Sequence, residues 1–284
     1  MMGSNGCERG WGERVERPNW APGDIDLERP SIARVYDHWL GGAHNFAADR
    51  AVAEEVLRTM PELRAVVLGH RAFLRRVVRH LLGRGVRQFL DLGSGIPTVG
   101  NVHEIAQAAD PGARVVYVDL DPVAVAHSRS LLEGDGHVGV LQADVRDPLG
   151  VLSSPEVGKQ LDFDEPVAVL MISLLHFVAD EEDPWGVVGG YRDRLAPGSF
   201  LAISHAGYEG EEEPESYREA RRIYDRDVTP MTLRGRAGLT RLFEGFDLVE
   251  PGVVRVPDWH PESRDGDGEF AGRFPGFAAV GRKA

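Results

Sequence analysis

Residues 88–92, Gln-Phe-Leu-Asp-Leu, form a short apolar run that breaks at Gly93-Ser94-Gly95. Val99, Val102, Ile105, Ala106 and Ala109 then recur at helical spacing. A strand that turns through two glycines into a helix brings backbone N–H groups to a ligand at the carboxyl edge of a parallel sheet. Asp91 precedes the break, so an acid stands where a phosphate would otherwise approach. Ile96-Pro97-Thr98 also replaces the third glycine of the dinucleotide fingerprint. Both features favour a ligand that is neutral or cationic at this turn.

The rest of the chain repeats strand and helix after this point, which predicts a parallel sheet. Strands are expected over residues 114–118, 138–142, 167–172 and 200–204, with a sixth near 247–256 and a short last one over 277–281. The last strand is expected to close the sheet as an antiparallel hairpin. The fold expected is therefore α/β and Rossmann-like, with seven mostly parallel strands. Asp121-Pro122 has the form of an N-cap followed by a first helical residue. Asp147-Pro148 reads as a chain break.

Three helical patterns precede the first strand, near residues 32–40, 47–60 and 61–82. They predict a cap over one face or the carboxyl edge of the sheet. The chain divides into an N-terminal arm without periodicity (1–29), a helical cap (30–84) and the sheet domain (85–284). The sheet domain carries an acidic, lid-like insertion near 206–235. A second acidic loop covers 261–269.

The net charge of -13 disfavours a nucleic-acid surface. The single cysteine, Cys7, excludes a disulfide framework and a cysteine metal site. No apolar run approaches the roughly 18 residues of a membrane span. A soluble, cytoplasmic protein is expected. Ten histidines show no spacing that marks a metal site.

Asp91, Asp119 and Asp144 end three successive strands. Right-handed crossovers place those ends on one edge. Asp119 follows Gly93 at roughly the spacing, about 20 residues, at which an acid binds ribose hydroxyls. A carboxylate accepts from two vicinal hydroxyls at once, and Asp144 suits an exocyclic adenine amine. Together the three acids point to a nucleoside across the sheet edge.

The blocks Phe89-Leu-Asp91-Leu-Gly93-Ser-Gly95, Val116-Tyr-Val-Asp119-Leu-Asp-Pro, Leu141-Gln-Ala-Asp144-Val and Leu174-Leu-His176-Phe-Val resemble motifs of class I S-adenosylmethionine-dependent methyltransferases. Leu195-Ala-Pro-Gly198 before the fifth strand fits them too. The segments Pro30–Arg50 and Gly95–Glu104 are similar to an actinobacterial domain-of-unknown-function methyltransferase subfamily, although His70 stands where that subfamily has asparagine. The resemblance implies S-adenosyl-L-methionine as cofactor. Gly93, Ser94 and Gly95 would lie against its methionine part and Asp91 near its amino group. Asp119 would bind the ribose and Asp144 the adenine, with Val145 adding backbone contacts. Leu120, Asn101 and Ser173 complete the cofactor set, and Arg71 is positioned to reach a cofactor carboxylate. Tyr36 to Asn45 forms a helix and a Gly41-Gly42 hinge suited to a lid.

Methyl transfer needs a base only where the acceptor loses a proton. His176 and Tyr36 are the catalytic candidates, with His44 and His205 behind them. A small-molecule acceptor is expected, of unstated identity and with no membrane or nucleic-acid partner. A cofactor-binding sensor and a nicotinamide-dependent oxidoreductase are the alternatives.

Overall fold

The structure, a computed structural model, describes residues 23, 25–98, 100–209, 213–262 and 273–284. Most of the N-terminal arm, including Cys7 and Trp20, therefore lies outside the described residues, as do parts of both acidic loops and Val99.

In chain order the elements are α1 (Ile32–Trp39), α2 (Ala47–Thr59), α3 (Leu63–Leu82), β1 (Gln88–Leu92), α4 (Val102–Ala109), β2 (Arg114–Asp119), α5 (Pro122–Leu131) and β3 (Val138–Gln142). Then follow α6 (Pro148–Leu152), α7 (Pro155–Gln160), β4 (Ala168–Ile172), α8 (Pro184–Arg194) and β5 (Phe200–Ala206). The chain ends with α9 (Glu215–Asp227), α10 (Arg236–Arg241), β6 (Asp247–Leu248), β7 (Val254–Arg255) and β8 (Gly276–Arg282). The sheet order is β3-β2-β1-β4-β5-β8-β6, with β7 also on β8. β1 to β5 pair in parallel, and β8 runs antiparallel between β5 and the β6–β7 ribbon.

Both faces of the sheet are buried, which explains why its strands read as apolar runs. Phe89, Val115, Tyr117, Leu170 and Ala202 share a core with α3 and α4. Leu90, Leu92, Val116, Met171 and Ile203 share the opposite core with α7, α8 and α10. The N-terminal helices divide: α3 packs on a sheet face, whereas α1 and α2 pack with α9. Residues of α1, α2 and α9 roof the cavity at the carboxyl edge.

Three local expectations change. The first sheet helix does not emerge from the glycine turn but starts at Val102. Pro97 disfavours helix at the residue before it, Gly100 takes φ 76°, and Asn101 caps the helix with Glu104 completing the capping box. Asp147-Pro148 is a helix start and not a break: the Asp147 side chain accepts from Gly150 N–H. The sixth strand splits into β6 and β7, because Pro251 has no N–H to pair and Gly252 turns back onto Val249 O.

Candidate active site

The turn after β1 is tied to β2. The N–H groups of Gly93 and Ser94 both donate to Val118 O, at 2.8 and 3.1 Å. Gly93 and Gly95 take φ 68° and 66°, where a side chain strains the backbone. A Cβ at Gly93 would lie 2.5 Å from Leu174 Cδ1. Asp119 links this turn to the next: Oδ2 accepts from Gly95 N–H at 2.7 Å and Oδ1 from Asp121 N–H at 2.8 Å. The Leu120 N–H also bears on this carboxylate, so a ligand meets the lone pair that remains.

Asp91, Asp119 and Asp144 line one cavity of about 600 Å³ at the carboxyl edge. Gly93, Ser94, Gly95, Leu120, Val145, Ser173, His176, Tyr36 and Arg71 line it as well. Asn101 and Asn45 do not. Asn101 faces a small adjoining cleft, and its amide bonds Thr98 O and N–H and, at 3.5 Å, the Arg71 guanidinium. Asn45 is buried beside the Gly-Gly turn, donating to Asp37 Oδ2 at 2.8 Å and to Gly42 O at 3.0 Å. Both amides are occupied in shaping loops, and neither lines the main cavity.

Burial pushes the Asp91 carboxyl up to about 7, the nearby Arg71 guanidinium opposing this and Asp119 adding to it. Burial also raises Asp119, to about 6, against the N–H groups of Asp121 and Gly95. Asp144 moves the other way because Arg146 Nε and Nη2 grip both its oxygens at 2.6–3.0 Å. Arg146 also pairs with Glu182. The acids at the rim thus differ: Asp91 is a buried carboxyl that Arg71 offsets only in part, whereas Asp144 is gripped directly by Arg146.

The Tyr36 hydroxyl donates to Val67 O at 3.4 Å, near Ser173 and Arg71, and burial pushes it up to about 12. Ser173 takes φ 55° at the end of β4, a strained conformation for a non-glycine residue. Its N–H donates to both O and Oγ of Ser204, and that Oγ lies 2.8 Å from His70 Nδ1. His70 therefore supports the Ser173 turn. His176 is buried, its Nδ1 3.4 Å from Ala206 N–H, and burial together with neighbouring imidazoles lowers its basicity. His205 Nδ1–H donates to Ala206 O, so Nε2 accepts from Arg234 Nη1 at 2.9 Å. His44 stacks on His127 with ring centres 3.6 Å apart, outside the cavity lining. His103 bonds the Tyr117 hydroxyl at 2.7 Å and holds α4 to the sheet. No group of three His, Cys, Asp or Glu among the described residues could hold a metal.

The aromatic roof was not foreseen from sequence: Trp39, Phe177 and Tyr224 line the cavity. Tyr36 with Trp39, and Tyr217 with Tyr224, stand at the three- and seven-residue spacings of one helix face, but only the tertiary arrangement turns those faces toward a shared hollow. The fastening of α1 was not foreseen either. The Ser31 hydroxyl bonds Asp121, and Arg34 forks onto Asp49 at 3.0–3.1 Å.

The donor set fits S-adenosylmethionine. A buried carboxyl, a ribose-type carboxylate with a lone pair left for a ligand and a glycine turn of positive φ share one hollow. Among the described residues no helix is long and apolar enough to cross a membrane. No curated protein matches the chain. A protein from Thermobifida fusca provisionally called a methyltransferase is 41% identical with a TM-score of 0.87, covering 94% of this chain and 99% of that one. A DUF574 family protein from Streptomyces avermitilis is 39% identical with a TM-score of 0.86, covering 91% and 99%. Human N-acetylserotonin methyltransferase, solved with S-adenosylmethionine, shares the fold alone: 14% identity, a TM-score of 0.50, and coverage of 88% of this chain and 62% of that one. With the S-adenosyl methyltransferase family profile matching residues 18–284, this chain belongs to that family and is an S-adenosylmethionine-dependent methyltransferase.

Proposed function

We propose that the chain methylates a small molecule held beneath the helical roof, and that the residues predicted from sequence divide between cofactor and acceptor. The observation that carries this reading is the shared cavity, with acids and glycines on its sheet side and side chains of α1, α2 and α9 enclosing the other. Asp91 faces the cofactor ammonium, whose charge relieves the cost of ionising a buried carboxyl. Arg71, already bonded to Gly100 O at 3.0 Å, offers its guanidinium to the cofactor carboxylate. Asp119 accepts from the ribose hydroxyls. Leu120, 59% exposed beside it, gives the adenine an apolar surface. Asp144 and Val145 complete the adenine end.

Bound S-adenosylmethionine supplies a sulfonium methyl: an acceptor lone pair bonds that carbon as the C–S pair returns to sulfur. The protein's part is to align the acceptor, exclude water and take up any proton released. His176 stands at the hollow, but its Nδ1 accepts from Ala206 N–H, so it takes up that proton only by giving up this bond. Tyr36 remains a protonated phenol and acts as a hydrogen-bond donor.

Calorimetric titration with S-adenosylhomocysteine tests the cofactor assignment. Asp119→Ala should weaken binding about 10- to 100-fold, the value of one hydrogen bond to a charged group. Transfer of labelled methyl into a metabolite extract tests the acceptor class. Absence of cofactor binding in the wild-type protein, or label entering only macromolecules, refutes the reading.

A further inference from the structure

The roof side of the cavity differs in chemistry from the rim of acids. Five of its rings follow one another: Tyr36 to Trp39 at 6.5 Å between centres, Trp39 to Tyr224 at 5.8 Å, Tyr224 to Phe177 at 5.9 Å and Phe177 to His176 at 4.2 Å. All five line the hollow. The belt starts beside Ser173, on the cofactor side, and ends at the imidazole after β4. Trp39 is fixed in place, because its indole N–H donates to Ala53 O at 3.1 Å. A hydrogen bond spent on the backbone leaves the indole only its apolar surface for a ligand.

Charge is compensated on this side. Among the described lining residues of α1, α2 and α9 and the loop before α9, the ionised groups are Glu213 and Arg221. They pair with each other at 2.8 Å. The imidazoles add none: His205 already gives its Nδ1 proton to Ala206 O and faces the Arg234 guanidinium with Nε2, and His176 packs 5.4 Å from its ring. Burial agrees with this, holding His70 down to about 3 and His205 to about 4. At the Tyr36 end stands Arg71 of α3, which is bonded to Gly100 O and assigned above to the cofactor carboxylate; along the rest of the belt a carboxylate or ammonium gives up its water without an opposite charge to meet it, at a cost of several kcal/mol. A flat ring loses nothing comparable and gains edge and face contacts along the belt.

We propose, building on the methyltransferase reading of the same cavity, that the acceptor is an uncharged aromatic molecule seated whole against the Tyr36–Trp39–Tyr224–Phe177 belt. Nothing in the belt demands a particular ring system. It selects for planarity and against charge.

Three bicyclic probes separate these properties: 2-naphthol, its saturated counterpart 2-decalol, and the anion 2-naphthoate. Each is titrated calorimetrically into the full chain, with and without S-adenosylhomocysteine. 2-Naphthol should bind, 2-decalol at least about fivefold more weakly and 2-naphthoate at least about tenfold more weakly. Tyr224→Leu should weaken 2-naphthol about 2- to 12-fold, the worth of one aromatic pair, and leave S-adenosylhomocysteine affinity unchanged. Should that variant misfold, Phe177→Leu replaces it with the same expectation. The proposal is overturned if 2-naphthol does not bind, or if 2-decalol or 2-naphthoate binds as tightly. If the probes behave as expected but S-adenosylhomocysteine does not bind, the acceptor class stands and the cofactor assignment fails.

Discussion

Replacing Asp91 with asparagine should make the ligand-free protein more stable while crippling its cofactor site. The Asp91 carboxyl is 6% exposed and burial pushes it up to about 7. An unfolded aspartate titrates near 3.9, and each unit of difference is worth about 1.36 kcal/mol. Folding therefore carries a penalty that grows as pH rises from about 4 to 7 and reaches roughly 4 kcal/mol above that. The variant removes this penalty but buries an amide, which returns roughly 1–3 kcal/mol. The net gain at pH 8 is about 1–3 kcal/mol, or a Tm rise of roughly 2–12 °C for a chain of this size. Scanning calorimetry of both proteins at pH 8 and pH 5 measures it. At pH 5 the wild-type carboxyl is mostly protonated and the gain should shrink or vanish. S-adenosylhomocysteine should raise the Tm of the wild type far more than that of the variant. A variant that melts no higher than wild type at pH 8, or by the same margin at both pH values, would falsify the account of Asp91 as a buried charge that Arg71 offsets only in part.

Two further outcomes follow from the same geometry. Because the cofactor ammonium favours ionised Asp91, S-adenosylhomocysteine affinity should be flat above pH 7 and fall below it, approaching tenfold per pH unit; calorimetric titration from pH 8 to 5.5 checks this, and a pH-independent affinity contradicts it. Gly93→Ala forces a side chain into positive φ and into the Leu174 methyl 2.5 Å away. It should cost roughly 1–3 kcal/mol in urea unfolding and weaken the cofactor site, and unchanged stability would show that the turn yields freely.

The sheet was legible in the sequence because it is buried on both faces. β1 and β3 read as residues 88–92 and 138–142, and apolar runs bounded by glycine, proline and aspartate leave little choice of boundary. The alignment of Asp91, Asp119 and Asp144 along one edge followed from strand handedness alone. What could not be read was the use of each acid. Whether a carboxylate is free or paired depends on neighbours two residues or a whole strand away, as with Asp144 and Arg146, or Asp119 and the Gly95 N–H. Asn45 was expected near the cofactor from the helix and Gly-Gly hinge before it, and Asn101 from the family-like block that contains it. Their amides are instead consumed by Asp37, Gly42 and Thr98. The aromatic roof was invisible for the opposite reason. Trp39 and Tyr224 have the spacing of ordinary core residues, and only the packing of α1 against α2 and α9 leaves their rings bordering a void.

Ser31, at the N-terminus of α1, is bonded to Asp121, and Asp121 N–H is in turn held by Asp119. The first roof helix is thus moored, through a single intervening residue, to the carboxylate assigned to the sugar. Lifting that helix to admit or release a molecule tugs on the very turn that grips the nucleoside. Two hydrogen bonds, one from Ser31 and one from Asp121 N–H, therefore join the roof and the sheet edge, so neither side shifts without straining the other.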